Sequence, residues 1–200
     1  MPRRSRARTY GQCVTRIVAG EAGGRRLAVP AGGGTRPTSD RAREALFGTL
    51  GALLDLAGAE VLDLYAGSGA VGLEAVSRGA AHALLVEADG RAAATIRANA
   101  ADLGLGDRAD VVRDRVERVL VTRDPVPADL VFADPPYALP GAELNAVLAA
   151  LVDRGWLAPG AVVVLERASR AGGGPEWPDS LTAVKSRRYG EGTLWYGRRP

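Results

Sequence analysis

Asp134-Pro135-Pro136-Tyr137 is the stretch best suited to chemistry, because the mostly apolar run Asp129-Leu130-Val131-Phe132-Ala133 leads straight into it. The two prolines remove backbone donors and stiffen the loop, which leaves its carbonyls free to accept from a ligand. An exocyclic base amine needs such acceptors. Its lone pair is delocalised into the ring and is a poor nucleophile. An Asp134 carboxylate and a Pro135 carbonyl that take its two N–H bonds let the lone pair swing towards an electrophile. Pro136 holds the turn, and Tyr137 can stack on the flat face of a base. Asp-Pro also begins ordinary turns, so the context must decide between the two.

A second group lies upstream. Val61-Leu62-Asp63-Leu64-Tyr65 reads as a buried strand, and Ala66-Gly67-Ser68-Gly69-Ala70-Val71-Gly72 as a tight turn opening a helix. Glycines let the backbone approach a ligand closely, and helix N–H groups face it. Glu87 falls twenty residues after Gly67, at the end of the next strand, where a carboxylate can accept from both hydroxyls of a ribose. Nicotinamide dinucleotides and S-adenosylmethionine both carry an adenosine ribose, so these features alone do not separate them. Asp63 does. A carboxylate two residues before the turn welcomes a ligand bearing an ammonium and a sulfonium and repels a pyrophosphate.

These residues need elements to position them. From 60 onward the pattern alternates strand and helix, with strands at 60–65, 83–87, 109–113, 129–133 and 161–166. Helices are expected at about 70–79, 89–103, 114–121 and 141–154. Continuous apolar strands separated by helices imply a parallel sheet covered on both faces, and such sheets bind ligands at the carboxyl ends of their strands. Residues 181–189 and 192–197 are also strand-like. Only Gly190 and Glu191 separate them, which is too short for a crossover and requires an antiparallel hairpin. The expected fold is therefore α/β, a seven-strand Rossmann-like sheet closed by an antiparallel C-terminal hairpin.

Ahead of the sheet, 14–19 and 25–29 read as a hairpin carrying Arg16, Arg25 and Arg26. Gly32-Gly33-Gly34 is a flexible joint. Thr38 or Ser39 can cap a helix beginning at Asp40 whose face of Ala42, Ala45, Leu46 and Leu50 packs on the main body. The expected division is a disordered basic tail at 1–12, a hairpin-and-helix extension at 13–50 and the main domain at 51–200. The extension is an appendage of that domain.

Composition narrows the function classes. Residues 1–50 hold ten arginines against Glu21, Asp40 and Glu44, and residues 185–200 hold five basic residues against Glu191. That leaves the body between them at −8 within an overall charge of +3. Basic ends on an acidic body point to a polyanion partner, met by Arg16, Arg25, Arg26 and Arg41. Cys13 is the only cysteine and His82 the only histidine. No intrachain disulfide can form, and neither a zinc cluster nor a His-dependent triad has the residues it needs. No apolar run reaches the ~18 residues of a membrane span, and the Arg-rich start has no apolar stretch behind it. A cytoplasmic monomer is expected, with no metal.

Asp63-Leu64-Tyr65-Ala66-Gly67-Ser68-Gly69 and Asp134-Pro135-Pro136-Tyr137 resemble the cofactor and catalytic motifs of class I amino-methyltransferases. Arg16-Ile17-Val18-Ala19-Gly20, Gly24-Arg25-Arg26-Leu27 and the run from Thr35 to Phe47 resemble the RsmD family in particular, as does Gly155-Trp156-Leu157. The resemblance covers 14–197. It implies methyl transfer from S-adenosylmethionine to the N2 amine of a guanine in bacterial 16S ribosomal RNA, within the small subunit or an assembly intermediate. By the same resemblance Asp63, Tyr65, Ala66, Gly67, Ser68 and Gly69 would line the cofactor, and Glu87 would take its ribose. Arg36, Pro37 and Thr38 would close over it from the leader. Asp134, Pro135, Pro136 and Tyr137 would hold the guanine, and the hairpin would grip RNA. The family places a small polar residue near the adenine where this chain has Arg113-Asp114-Arg115. Asp114 can accept from the adenine amine, with a register one residue away equally open.

Three other readings share part of this pattern. A nicotinamide oxidoreductase would use the Gly-rich corner but leaves Asp63 and the Asp-Pro-Pro-Tyr loop unexplained. A methyltransferase acting on DNA or another RNA would use the same site. A non-catalytic RNA-binding protein would need only the basic ends.

Overall fold

The structure, a computed structural model, describes residues 15–30, 40–169 and 174–200. The expected tail at 1–12, Cys13, the Gly32-Gly33-Gly34 joint, and Arg36, Pro37 and Thr38 lie outside the described residues.

Seven strands form one sheet. They are β3 (Glu60–Leu64), β4 (His82–Val86), β5 (Ala109–Val112), β6 (Ala128–Ala133), β7 (Leu157–Ala168), β8 (Thr182–Tyr189) and β9 (Gly192–Arg198). Their order is β5-β4-β3-β6-β7-β9-β8. The first five are parallel, and β9 pairs antiparallel with both β7 and β8. The short link at Gly190 and Glu191 leaves that last pair no other option. The chain winds outward from β3 to β5 and then returns to lay β6 on the opposite side of β3. That reversal opens a crevice beyond the carboxyl ends of β3 and β6.

Helices cover both faces. Helix α2 (Ala70–Ser77) and α3 (Gly90–Leu103) bury Val71, Leu73, Val76, Ile96 and Ala100 against Val61, Leu85, Leu130 and Phe132. Helix α4 (Val116–Thr122) and α5 (Gly141–Asp153) bury Val119, Leu120, Val147 and Leu148 against Leu62, Leu64, Val131 and Val163 on the other face. The alternation of side chains along each strand separates the two sets. No helix among the described residues is long and apolar enough to cross a membrane.

The strands match their expected positions within a residue or two except β7, which runs well past 161–166. Leu157 pairs with Ala128 on one side, and Val162 to Ala168 pair with β9 on the other, so partners on both edges extend it.

The extension differs more. The hairpin exists but is short: β1 (Thr15–Arg16) pairs antiparallel with β2 (Arg26–Leu27). Its ladder stops because its donors are used elsewhere. Val18 N and Ala19 N donate to the Glu74 carboxylate at 2.8 and 3.0 Å, and Ala28 N donates to Asn99 Oδ1 at 2.8 Å. Helix α1 (Asp40–Leu50) buries Arg43, Leu46, Phe47, Thr49 and Leu50, whereas Ala42 and Ala45 are only half-buried. The expected apolar face is thus rotated, and a fully buried arginine occupies it. Arg43 Nη2 donates to Asp40 Oδ1 at 2.9 Å and to the Arg16 carbonyl, and its Nε lies 3.7 Å from Glu74 Oε2. Ile17, Ala22, Leu27, Leu46, Phe47 and Leu50 join the same core as α2 and α3.

Candidate active site

Parallel strands end in carbonyls and donors that the next loops must satisfy. The ladder here continues one step past the strand ends. Ala66 N donates to Val86 O at 3.0 Å, Glu87 N to Val112 O at 3.0 Å, and Asp134 N to Leu64 O at 3.4 Å. Those bonds bring the loops after β3, β4 and β6 into one row at the switch point. Sequence alone separates Asp63, Glu87 and Asp134 by dozens of residues. The sheet makes them neighbours.

The glycine turn is built for close approach. Gly67 and Gly69 have φ of 57° and 76°, and Tyr65 has φ of 60°. A positive φ on a tyrosine is strained backbone, and it is held by Tyr65 Oη donating to Glu117 Oε1 at 3.2 Å. A Cβ on Gly69 would lie 2.8 Å from Ile96 Cγ2 and 3.2 Å from Leu85 Cδ2. One on Gly67 would meet nothing nearer than Tyr65 O at 4.0 Å, so that glycine borders open space. The carbonyl of Ser68 accepts from Asn99 Nδ2 at 3.1 Å. Ala66 is half-buried at the start of the turn.

The acids around the turn are placed differently from one another. Asp63 is 1% exposed and sits beneath the turn, with Oδ2 accepting from Gly72 N at 2.8 Å. Burial pushes its carboxyl up to about 8. The Gly72 bond pulls the other way, and the nearby Asp134 and Glu87 add to the rise. Glu87 bridges two loops, with Oε2 accepting from Gly67 N and Oε1 from Asp89 N, both at 2.8 Å. Asp134 is half-buried, and desolvation followed by the charge of Glu166 raises it to about 7. Three carboxyl groups thus surround one turn. With Asp63 and Asp134 raised to about 8 and about 7, a cationic ligand favours their ionisation and a pyrophosphate opposes it, so the carboxyl set suits S-adenosylmethionine better than a dinucleotide.

The remaining loop residues follow from Asp134. Pro135 is buried, Pro136 is exposed and its carbonyl accepts from Leu139 N at 2.8 Å, and Tyr137 is 60% exposed at the rim. Asp114 follows β5 at the same sheet edge. Its Oδ1 accepts from Arg115 N at 2.8 Å, and its Oδ2 lies 3.5 Å from Arg118 Nε.

The basic residues divide. Arg16, Arg26 and Arg41 are exposed, and Arg16 Nε is 3.2 Å from Asp40 Oδ2. Arg25, exposed as well, also caps α3, donating to Leu103 O at 3.0 Å and to Asp102 O. Its guanidinium complements the carbonyl end of that helix.

Sequence reasoning missed Glu166, Asn99, and the Arg43 and Glu74 pair. Only Glu166 had a readable signal. Leu84-Leu85-Val86-Glu87, Val131-Phe132-Ala133-Asp134 and Val163-Val164-Leu165-Glu166 are the same pattern, an apolar run ending in an acid.

Comparison with known proteins agrees with this arrangement. Residues 15–198 match the family described as conserved hypothetical protein 95. The chain is 41% identical over 151 residues to ribosomal RNA small subunit methyltransferase D of Escherichia coli K12, covering 76% of this chain and 73% of that protein. It superposes on a solved Escherichia coli structure, yhhF, with a TM-score of 0.80 and 35% identity, over 93% of this chain and 98% of that one. An RNA methyltransferase from Salinibacter ruber, solved with S-adenosyl-L-homocysteine, shares the fold at a TM-score of 0.60 and 19% identity, over 82% of this chain and 94% of that one.

Proposed function

We propose, from the premise that the chain belongs to the RsmD family, that it transfers a methyl group from S-adenosylmethionine to the exocyclic N2 amine of a guanine in 16S ribosomal RNA. The observation that carries this reading is Asp134-Pro135-Pro136-Tyr137 at the end of β6, beside the glycine turn and across the switch point from it. The relatives support RNA as the substrate through their names, and the acid-rich turn supports a cationic cofactor.

The cofactor supplies an activated methyl on its sulfonium. The protein's part is positioning. Asp134 and the Pro135 carbonyl accept the two N–H bonds of the amine and turn its lone pair outward. Tyr137, exposed at the rim, stacks on a base that has left its helix or already sits in a loop. Gly67, Ser68 and Gly69 let the backbone close on the cofactor. Glu87 exchanges its bond to Gly67 N for the ribose hydroxyls. Asp114, or the residue one register away, accepts from the adenine amine. Arg16, Arg26 and Arg41 meet phosphates of the small subunit or of an assembly intermediate, and Arg25 fixes the hairpin that presents them. No covalent intermediate on the enzyme is required, since the donor is already activated; as the sulfonium's methyl bond breaks and the N2–methyl bond forms, the resulting ammonium loses its proton readily, so Asp134 need not be a strong base.

The test is tritiated methyl transfer to small subunits purified from a strain lacking this gene, followed by nucleoside analysis. Label confined to N2-methylguanosine is expected. Label on any other base overturns the reading.

A further inference from the structure

We propose that Arg167 on β7 and Arg188 on β8 clamp the phosphate backbone of the RNA strand beside the target base. The inference deepens the RNA-methylation reading above and rests on it.

Register sets the two arginines in one row. On β9, Thr193 pairs with Arg167 on one side and with Arg188 on the other. Paired residues point to the same side of a sheet, so the two arginines flank the Thr193 hydroxyl, two strand spacings or about 9–10 Å apart at the backbone. The neighbouring row of Leu165, Trp195 and Ser186 shows which side this is. Leu165 and Trp195 pack with α4 and α5, and residues two apart along a strand share a face. Ser169 follows Arg167 on that face, with its Oγ 2.9 Å from Thr193 Oγ1, so a pair of hydroxyls accompanies the arginines.

The row stands at the crevice end of the sheet. Ala133 pairs with Leu165, so Arg167 lies two residues further on, at the height of the loop that begins with Asp134 and Pro135. Arg167 Nη1 is 3.5 Å from Leu139 O, two residues past Tyr137 in that loop. Arg188 is exposed on the outermost strand, and its Nε donates to Gly190 O at 3.3 Å within its own turn. Among the described residues no carboxylate forms an ion pair with either arginine.

Two guanidinium groups without a counter-charge, with hydroxyls beside them, suit an anion that offers several oxygens. A phosphodiester is such an anion. The strand that delivers a base to Asp134 carries its flanking phosphates past this loop, and the two arginines stand on the loop's α5 side. The hairpin lies on the opposite face, since Ile17 and Leu27 join the core with α2 and α3. The RNA is thus held from both faces of the sheet. Arg188 also gives a use to the basic C-terminal end, where five basic residues stand against Glu191 alone.

The test is filter binding, over a range of salt concentrations, to small subunits from a strain lacking this gene and to protein-free 16S RNA. Arg188→Gln is expected to weaken binding about tenfold, the worth of a hydrogen bond to a charged group, and to lower the log–log salt slope by about 0.7. Adding Arg167→Gln is expected to bring the fall to about 1.4. Arg167→Lys with Arg188→Lys keeps both charges and is expected to retain the wild-type slope. S-adenosylmethionine affinity, measured by calorimetry, is expected to match wild type throughout. An unaltered slope in Arg188→Gln overturns the proposal. So does a loss of cofactor affinity in that variant, which would make the role structural, and so does a slope that falls on subunits but not on protein-free RNA, which would assign the arginines to an acidic protein. A wild type that shows the expected slopes yet puts no methyl on guanine overturns the base reading instead, which keeps the two failures distinct.

Discussion

At the scale of single residues, Asp63 and Asp134 are both carboxyls at strand ends, yet burial gives them different work. Asp63 is sealed under the turn and spends an oxygen on Gly72 N, so it fixes the start of α2, and its raised pKa keeps it largely protonated near neutrality. Asp134 is only half-buried, and in the proposed reaction it is the one that meets a substrate amine. Asp134→Ala is therefore expected to abolish turnover while calorimetry still detects S-adenosylmethionine binding, and near-normal turnover in that variant would remove Asp134 from the chemistry. Asp134 accepts N–H bonds as a carboxylate. With its pKa raised to about 7, kcat/KM is expected to rise with pH through neutrality and to fall on the acid side, in a profile measured on small subunits. The linkage to stability runs the other way. Both acids have folded pKa values above the unfolded 3.8, so the stability they confer is fully present below about 3.8 and is lost as pH rises through 7 and 8.

At the scale of elements, the site depends on how the turn between β3 and α2 is held. Gly69 combines a φ of 76° with side chains 2.8 and 3.2 Å from where a Cβ would be. Gly69→Ala is thus strained in its backbone and blocked in space. A loss of about 1–3 kcal/mol of stability is expected, read by urea denaturation together with weakened cofactor binding. Unchanged values in both would mean that the turn tolerates a different conformation. Asn99 holds the turn from the side. Its amide donates to Ser68 O and Ala28 O and its oxygen accepts from Ala28 N, so one buried side chain on α3 ties the glycine turn to the end of the hairpin.

At the scale of the whole molecule, the question is how a basic extension becomes part of an acidic domain. Glu74, buried on α2, accepts from Val18 N, Ala19 N and the Arg78 guanidinium and lies against Arg43. Arg78 in turn stacks over Phe47 of α1, 4.6 Å from the ring centroid. Removing one partner strands the other's charge in the core. Glu74→Ala is expected to cost about 3–5 kcal/mol in chemical denaturation, and a loss below about 1 kcal/mol would show that the extension docks by apolar contact alone. The exposed arginines act differently. Arg26→Ala and Arg41→Ala should each weaken RNA binding and flatten its dependence on salt, by about 0.7–1 in the log–log slope. Arg25, held against the carbonyls of α3, should act on hairpin docking instead.

The sequence by itself determined the sheet, its succession of strands and helices, the antiparallel closing pair and the two loops to which the proposed chemistry is assigned. Those features are local. Apolar runs, a glycine turn after a strand and two prolines after an acid act over a few residues, so their spacing reveals them. Tertiary structure decided what depends on distant partners. It ended the hairpin early by diverting Val18, Ala19 and Ala28 to side chains on α2 and α3. It turned Arg43 into the core, where Asp40 and Glu74 meet its charge, and it gave Arg25, which stays exposed, hydrogen bonds to the end of a helix. It also brought Glu166 to the strand next to Asp134, through a register that aligns Ala133 with Leu165, thirty-two residues on in the chain. A charged side chain has no periodicity to betray its partner, because its place is settled by whichever opposite charge or free carbonyl the fold brings within reach.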